Sequence, residues 1–236
     1  MSTNSLVMPA TLESERLQAL HRYDILHSLQ EDIFDELVEL AARLYSLPVS
    51  LLNLIGEQHG WHHVQYGTAF APQQPRAELL CSLVIKQHEV VVYRDLAAVP
   101  QTAANAAAVQ ATLAKKARFY AAAPLCMPDQ HNIGSLCLLD TRPREFSPEE
   151  QQVLQHLADL VSQAIAVRQQ YRASPALGEA RWLALRTQVQ EELHNLSALV
   201  RYLLTRYGIT TPVPEEVLHL VSRRLQDLQG ILTGGE

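Results

Sequence analysis

Cysteine, glycine and aromatic residues are scarce in this chain, which holds 3 cysteines, 9 glycines and 6% Phe, Trp and Tyr in 236 residues. Cys81, Cys126 and Cys137 are odd in number and widely spaced, so they make no disulfide framework and point to a reducing, cytoplasmic compartment. Basic clusters are also missing: beyond Lys115-Lys116-Arg118 nothing offers the grouped cations that displace phosphate counterions, which argues against nucleic-acid binding. The longest apolar stretch, near Pro48 to Ile55, is far short of the roughly 18 residues a membrane span needs, and no basic-then-apolar leader is seen, so no membrane partner is expected.

What is present is core material. Hydrophobic residues make up 47% and charged residues 19%, enough to fold a sizeable domain. The net charge of −6 lies wholly in residues 1–171, because 172–236 hold seven basic and seven acidic side chains. Residues 1–11 read as a loose leader. Helical spacing follows in Leu17, Leu20 and Ile25, with the first helix expected over 12–29, and again in Ile33, Phe34, Leu37, Val38, Ala41 and Leu44. VSLLNLI from Val49 and WHHVQYG from Trp61 read as a strand hairpin, Val90 to Tyr93 as a strand, and 102–116 as helix by its alanine content.

Arg118 to Met127 and Ile133 to Asp140 flank the turn residues 128–132 and should pair antiparallel. Ser147-Pro148-Glu149-Glu150 opens a long helix with a cap, a proline at the first position and acidic residues in the first turn. After Ala173-Ser174-Pro175, the residues Trp182, Leu185, Val189, Leu196, Leu199 and Leu203 alternate by threes and fours, and a shorter amphipathic helix follows Pro214. The organisation is therefore α+β, with a main domain over 12–171 and a C-terminal helical hairpin over 176–236.

Tyr23-Asp24-Ile25-Leu26, Phe34-Asp35-Glu36-Leu37-Val38, Phe119 to Leu125, Ile133 to Asp140 and Pro143-Arg144-Glu145-Phe146-Ser147 together resemble the GAF domain family. That resemblance implies a six-stranded antiparallel sheet with helices on both faces, the terminal helices on one side and a ligand pocket under short helices on the other. It also implies a small-molecule-sensing regulatory role. Arg76 and Cys81 fall where such domains often carry an Arg and then a Cys in the segment roofing the pocket.

Trp61, His63, Arg76, Cys81, Tyr93, Asn105, Phe119 and Ala121 are the candidate ligand-binding residues. Each has a plainer reading as core or surface; Cys81 and Cys137 in particular read as small buried hydrophobes. His59, His62, His63 and His88 cluster in sequence, but strand alternation puts only His59 and His63 on one face, so no metal site is expected. The cysteine spacing is unlike the clustered arrangement of free methionine sulfoxide reductases, which share this fold, and shows no resolving pair. His194, in Glu192-Leu193-His194-Asn195, is distantly similar to the phospho-acceptor box of sensor kinases, although a solvent-facing histidine is the simpler reading.

The expectation is a cytoplasmic signalling protein, not an enzyme and with no cofactor, that binds an unidentified small molecule and passes its state through terminal helices. The alternatives are a ligand-free dimeric scaffold or a degenerate histidine phosphotransfer hairpin. The apolar stripe Trp182, Leu185, Val189, Leu196, Leu199 and Leu203 is assigned to a homodimer interface, although the hairpin could fold back in a short bundle with helices 147–171 and 214–230. A sensor kinase or response regulator is the other candidate partner.

Overall fold

The protein is described from a computed structural model for residues 9–25, 31–67, 70–174, 178–208 and 212–234. Leader residues 1–8 and the expected helical continuation over 26–29 lie outside the described residues, as does Pro175.

Two helices, α1 (Ala10–Arg22) and α2 (Asp32–Leu44), precede the sheet. Helix α1 thus begins two residues inside the stretch read as leader. It ends where Asp24 takes a left-handed conformation (φ 46°). Helix α2 buries Ile33, Phe34, Leu37, Val38, Ala41 and Leu44 as one stripe, and it stops when Ser46 turns left-handed (φ 52°) and the Leu47 amide bonds back to the Ala42 carbonyl at 2.9 Å.

The strands are β1 (Val49–Ile55), β2 (His59–Tyr66), β3 (Gln73–Pro75), β4 (Val91–Tyr93), β5 (Phe119–Cys126) and β6 (Asn132–Asp140). They form one antiparallel sheet in the order β3-β2-β1-β6-β5-β4. Between Leu52 and Asn53 the β1–β2 register slips, so that Leu52 faces Val64 but Asn53 faces His62, stepping over His63. At Gly134 the backbones of β1 and β6 approach so closely that a Cβ would sit 2.0 Å from the Asn53 carbonyl oxygen. Only glycine fits there.

Period-two alternation splits the sheet residues between two cores. Leu52, Leu54, Phe119, Ala121, Ala123, Leu125, Leu136 and Leu138 pack with α1, α2 and the long helix α5 (Pro148–Arg172). Leu51, Ile55, Tyr120, Ala122, Cys137 and Leu139 face the opposite way, under a roof made of the one-turn α3 (Cys81–Val84) and α4 (Ala106–Ala114). The expected α+β class, with helices on both faces of a six-stranded antiparallel sheet, is what the structure has.

Helix α5 starts in a complete capping box: Ser147 Oγ accepts from the Glu150 amide at 3.1 Å, and Glu150 Oε2 accepts from the Ser147 amide at 2.8 Å. Helices α6 (Gly178–Tyr207) and α7 (Glu215–Leu232) then fold back onto α2 and α5. This corrects the dimer stripe. Trp182, Val189 and Leu196 are buried within the chain together with Leu193 and Val200, while Leu185, Leu199 and Leu203 sit half-buried at the seam's edge. Mixed three- and four-residue spacing leaves the choice of face to whatever apolar surface is nearest, and here that surface belongs to α2, α5 and α7.

Candidate functional site

Asn53 is the only polar side chain projecting from the middle of β1 toward the roof, and it is fully buried. Burial demands partners for every donor and acceptor of its carboxamide. Its Nδ2 donates to Cys81 Sγ and to Cys137 Sγ, both at 3.0 Å, and its Oδ1 accepts from His62 Nδ1. That bond places the His62 proton on Nδ1. Burial, reinforced by the Lys115 charge, lowers His62 to about 4, so the ring is neutral at physiological pH.

The hydroxyl of Tyr120 lies 3.3 Å from Cys81 Sγ. Cys81 is held below the ordinary thiol range, first by the neighbouring Cys137 thiol and then, against the opposing cost of burial, by the Tyr120 hydroxyl and the Asn53 amide. Burial and the charge on Cys81 push Cys137 well above it.

Next to this cluster an open cleft of about 430 Å³ runs along the sheet's roofed face, lined by Val49, Phe70, Gln74, Lys115, Leu139 and Asp140 among others. Its size lies within the range of small-molecule sites. The Lys115 ammonium stands 4.9 Å above the Phe70 ring, and the Phe70 ring lies 5.7 Å from that of His62, which connects cleft and cluster. Gln65 fixes the Phe70 backbone by accepting from its amide at 2.7 Å. The Gln74 side chain is buried in the wall, next to the His62 ring.

The predicted ligand residues separate into groups. Cys81 joins the buried cluster. Tyr93 and Asn105 line a smaller groove of about 260 Å³ at the other end of the roof, where Asn105 already serves its own loop through the Thr102 amide (2.7 Å) and the Pro100 carbonyl (3.2 Å). Phe119 and Ala121 are on the wrong face for a ligand: the alternation was read correctly, but their side is the one packed with α5. Trp61 covers Gly56, with its ring carbons 2.5 Å from where a Cβ would stand, and His63 is half-buried beside the β-bulge; neither lines the cleft.

Arg76 is committed elsewhere. It donates to Glu13 Oε1 at 2.5 Å and to the Gly56 carbonyl at 3.0 Å, and Arg16 adds bonds to Glu13 (2.8 and 3.0 Å) and to the Ile55 carbonyl (2.6 Å). Burial alone would raise the Glu13 carboxyl, but the bonds from Arg16 and Arg76 outweigh it and bring it to about 2. A carboxylate depressed in the folded state contributes stability in full above its unfolded value of 4.5 and loses it as pH falls toward 2. In urea titrations across pH, the gap between wild type and Glu13→Gln should therefore be constant near neutrality, shrink below about pH 4.5 and close near pH 2; a gap that persists below pH 2 would refute the assignment.

His194 is exposed on α6, its Nε2 3.7 Å from Glu36 Oε1 of α2. Among the described residues no three His, Cys, Asp or Glu side chains converge as a metal site, and no helix is long and apolar enough to cross a membrane.

Sequence reasoning missed Asn53, His62, Tyr120, Gln74 and Lys115 as site residues. A signal existed for the first: a lone amide in the otherwise aliphatic VSLLNLI, two residues from Leu51 and Ile55 and so on their face. Cys81 and Cys137 are buried in the core, as the sequence suggested, and share the Asn53 amide as a donor.

The chain belongs to the GAF domain family, whose match spans residues 30–165. Over 209 residues, or 88% of its length, it is 27% identical to a cyclic di-GMP phosphodiesterase of Pseudomonas aeruginosa, of which it spans 33%. This relative overturns the expectation that the protein is not an enzyme, because most of the chain aligns with a third of a protein named for an enzymatic activity. Solved structures with a similar fold include the GAF domain of an Acinetobacter phosphoenolpyruvate-protein phosphotransferase (18% identity, 67% of this chain and 95% of that one, TM-score 0.47). The blue-light absorbing form of the Thermosynechococcus elongatus PixJ GAF domain is another (15%, 67% and 89%, TM-score 0.47), as is the type II free methionine-R-sulfoxide reductase of Thermoplasma acidophilum (13%, 65% and 94%, TM-score 0.46).

Proposed function

We propose that this chain is a cytoplasmic GAF sensory region that takes a small molecule in the Phe70–Lys115 cleft and controls cyclic di-GMP hydrolysis, the activity for which its Pseudomonas relative is named. The observation carrying the first half is the cleft's composition: apolar walls from Val49, Phe70 and Leu139, one ammonium at Lys115, the Asp140 carboxylate and the Gln74 carboxamide. A ligand with an apolar body, an anionic group for Lys115 and a donor for Gln74 matches it. Closure over such a ligand would shift the roof over the sheet, and the state would pass through the sheet to α5 and the hairpin, provided the ligand binds one arrangement more tightly than the other.

Native mass spectrometry of the freshly purified chain, followed by thermal shift across small carboxylates, tests the reading. A true ligand at roughly one hundred times its Kd should raise Tm by about 5–10 °C, and Lys115→Met should remove most of that gain. No adduct in the mass spectrum and no shift across the panel would replace the sensor with a ligand-free scaffold.

A further inference from the structure

The pair Cys81 and Cys137 has a geometry that the cleft reading does not use. Two sulfurs that accept from the same Asn53 Nδ2 at 3.0 Å each lie within about 6 Å of one another. One of them sits at the first position of the roof helix α3, the other in the middle strand pair of the sheet. Two hydrogen-bonding groups converge on Cys81, the Asn53 amide at 3.0 Å and the Tyr120 hydroxyl at 3.3 Å. A sulfur so surrounded is set up to be a thiolate, since each donor gains strength when its acceptor is charged. Tyr120, held protonated by burial, remains a donor over the whole physiological range.

We propose that Cys81 and Cys137 are a reversible dithiol–disulfide pair oxidised by a hydroperoxide, with Cys81 the attacking sulfur and Cys137 the resolving one. Cys81 thiolate attacks one peroxide oxygen, the O–O bond breaks, and the departing oxygen leaves as hydroxide or alkoxide, giving a sulfenic acid on Cys81. Cys137 sulfur then attacks that sulfur, its proton passes to the departing hydroxide, and water leaves as the S–S bond forms. With hydrogen peroxide the sum is two thiols and one peroxide giving one disulfide and two waters, the sulfurs having lost the two electrons the peroxide gained. The bridge ties α3 to β6 and so fixes the roof over the sheet. Both sulfurs are buried, so the oxidant has to be as small as hydrogen peroxide, which is little larger than water.

The third thiol is an internal control. Cys126 is half-buried at the end of β5, its Sγ 3.8 Å from the Met127 carbonyl, and is raised by burial. The full chain is exposed to a small excess of hydrogen peroxide at pH 7, unfolded, alkylated and weighed.

The expected result is a mass loss of about 2 Da, alkylation of one thiol in place of three, a peptide linking positions 81 and 137, and recovery with dithiothreitol. The pair should react roughly tenfold faster than Cys126 does. In Cys137→Ser the reaction should stop at a Cys81 sulfenic acid that dimedone traps, whereas Cys81→Ser should leave Cys137 untouched. Oxidation confined to Cys126, bridges between chains through Cys126, or formation of the 81–137 bridge at the same rate in urea would each overturn the proposal; these readouts use wild type alone and do not depend on the variants folding. Absence of a cleft ligand would not affect them, so the two readings fail separately.

Discussion

Glu150→Ala is expected to destabilise the protein by about 3–5 kcal/mol, because it removes one half of a buried ion pair and leaves the other half uncompensated. Glu150 is 0% exposed and its partner Arg144 only 7%. The carboxylate accepts from Arg144 Nη2 at 2.7 Å, from the Ser147 amide at 2.8 Å and from the Val213 amide at 3.2 Å, while its own backbone carbonyl accepts from Tyr45 Oη at 2.9 Å. One residue thus caps α5, anchors the Arg144 side chain that reaches the Tyr45 carbonyl at 2.5 Å, and holds the chain entering α7. The Ala variant should also lose about 6–20 °C in a parallel thermal scan, and Glu150→Gln, which keeps one acceptor oxygen for the Ser147 or the Val213 amide but not for both, should lose less. Faster hydrogen exchange at the Val213 amide in both variants would locate the damage. A loss below about 1 kcal/mol for Glu150→Ala would mean that Arg144 finds water and that the network is peripheral.

The capping half of that network was readable in the sequence, since Ser147, Pro148 and Glu150 stand at fixed offsets from a helix start. Its other half was not: Val213 is 63 residues from Glu150, and no local pattern announces that a loop amide will reach it. The same divide runs through the whole chain. Turn residues 128–132 and the apolar runs on either side specify the β5–β6 hairpin by short-range chemistry, and the weak motifs of the GAF family extend that to the sheet.

Which face of a strand meets a ligand is decided by elements far away in sequence. Phe119 and Ala121 were correctly placed together, but only the packing of α5 determines that theirs is the closed face. Arg76 illustrates a second limit, because a cation in a roof segment can be claimed by any carboxylate within reach, and Glu13 of α1 is nearer than any ligand. For α6 the outcome turned on competition: Trp182 bonds to Glu31 Oε2 through its indole nitrogen at 2.8 Å, and Arg168 and Arg186 pair with the same carboxylate, so that the end of α2 captures the helix that a second copy would otherwise have needed.

Asn53→Ala is expected to cost about 3–5 kcal/mol, and its consequences should be chemical as well as thermodynamic. The substitution leaves the buried His62 Nδ1 without its acceptor. It also strips one donor from each sulfur of the thiol pair. Asn53→Asp separates the two roles. A carboxylate still accepts from His62 Nδ1 but cannot donate to either sulfur, and its charge opposes a thiolate beside it. Urea titration should therefore rank wild type above both variants, while alkylation of Cys81 at pH 7 should slow roughly tenfold or more in the Asp variant relative to wild type. Equal alkylation rates in wild type and Asn53→Asp would show that Asn53 serves packing alone and that Tyr120 and Cys137 suffice to hold the sulfur as a thiolate.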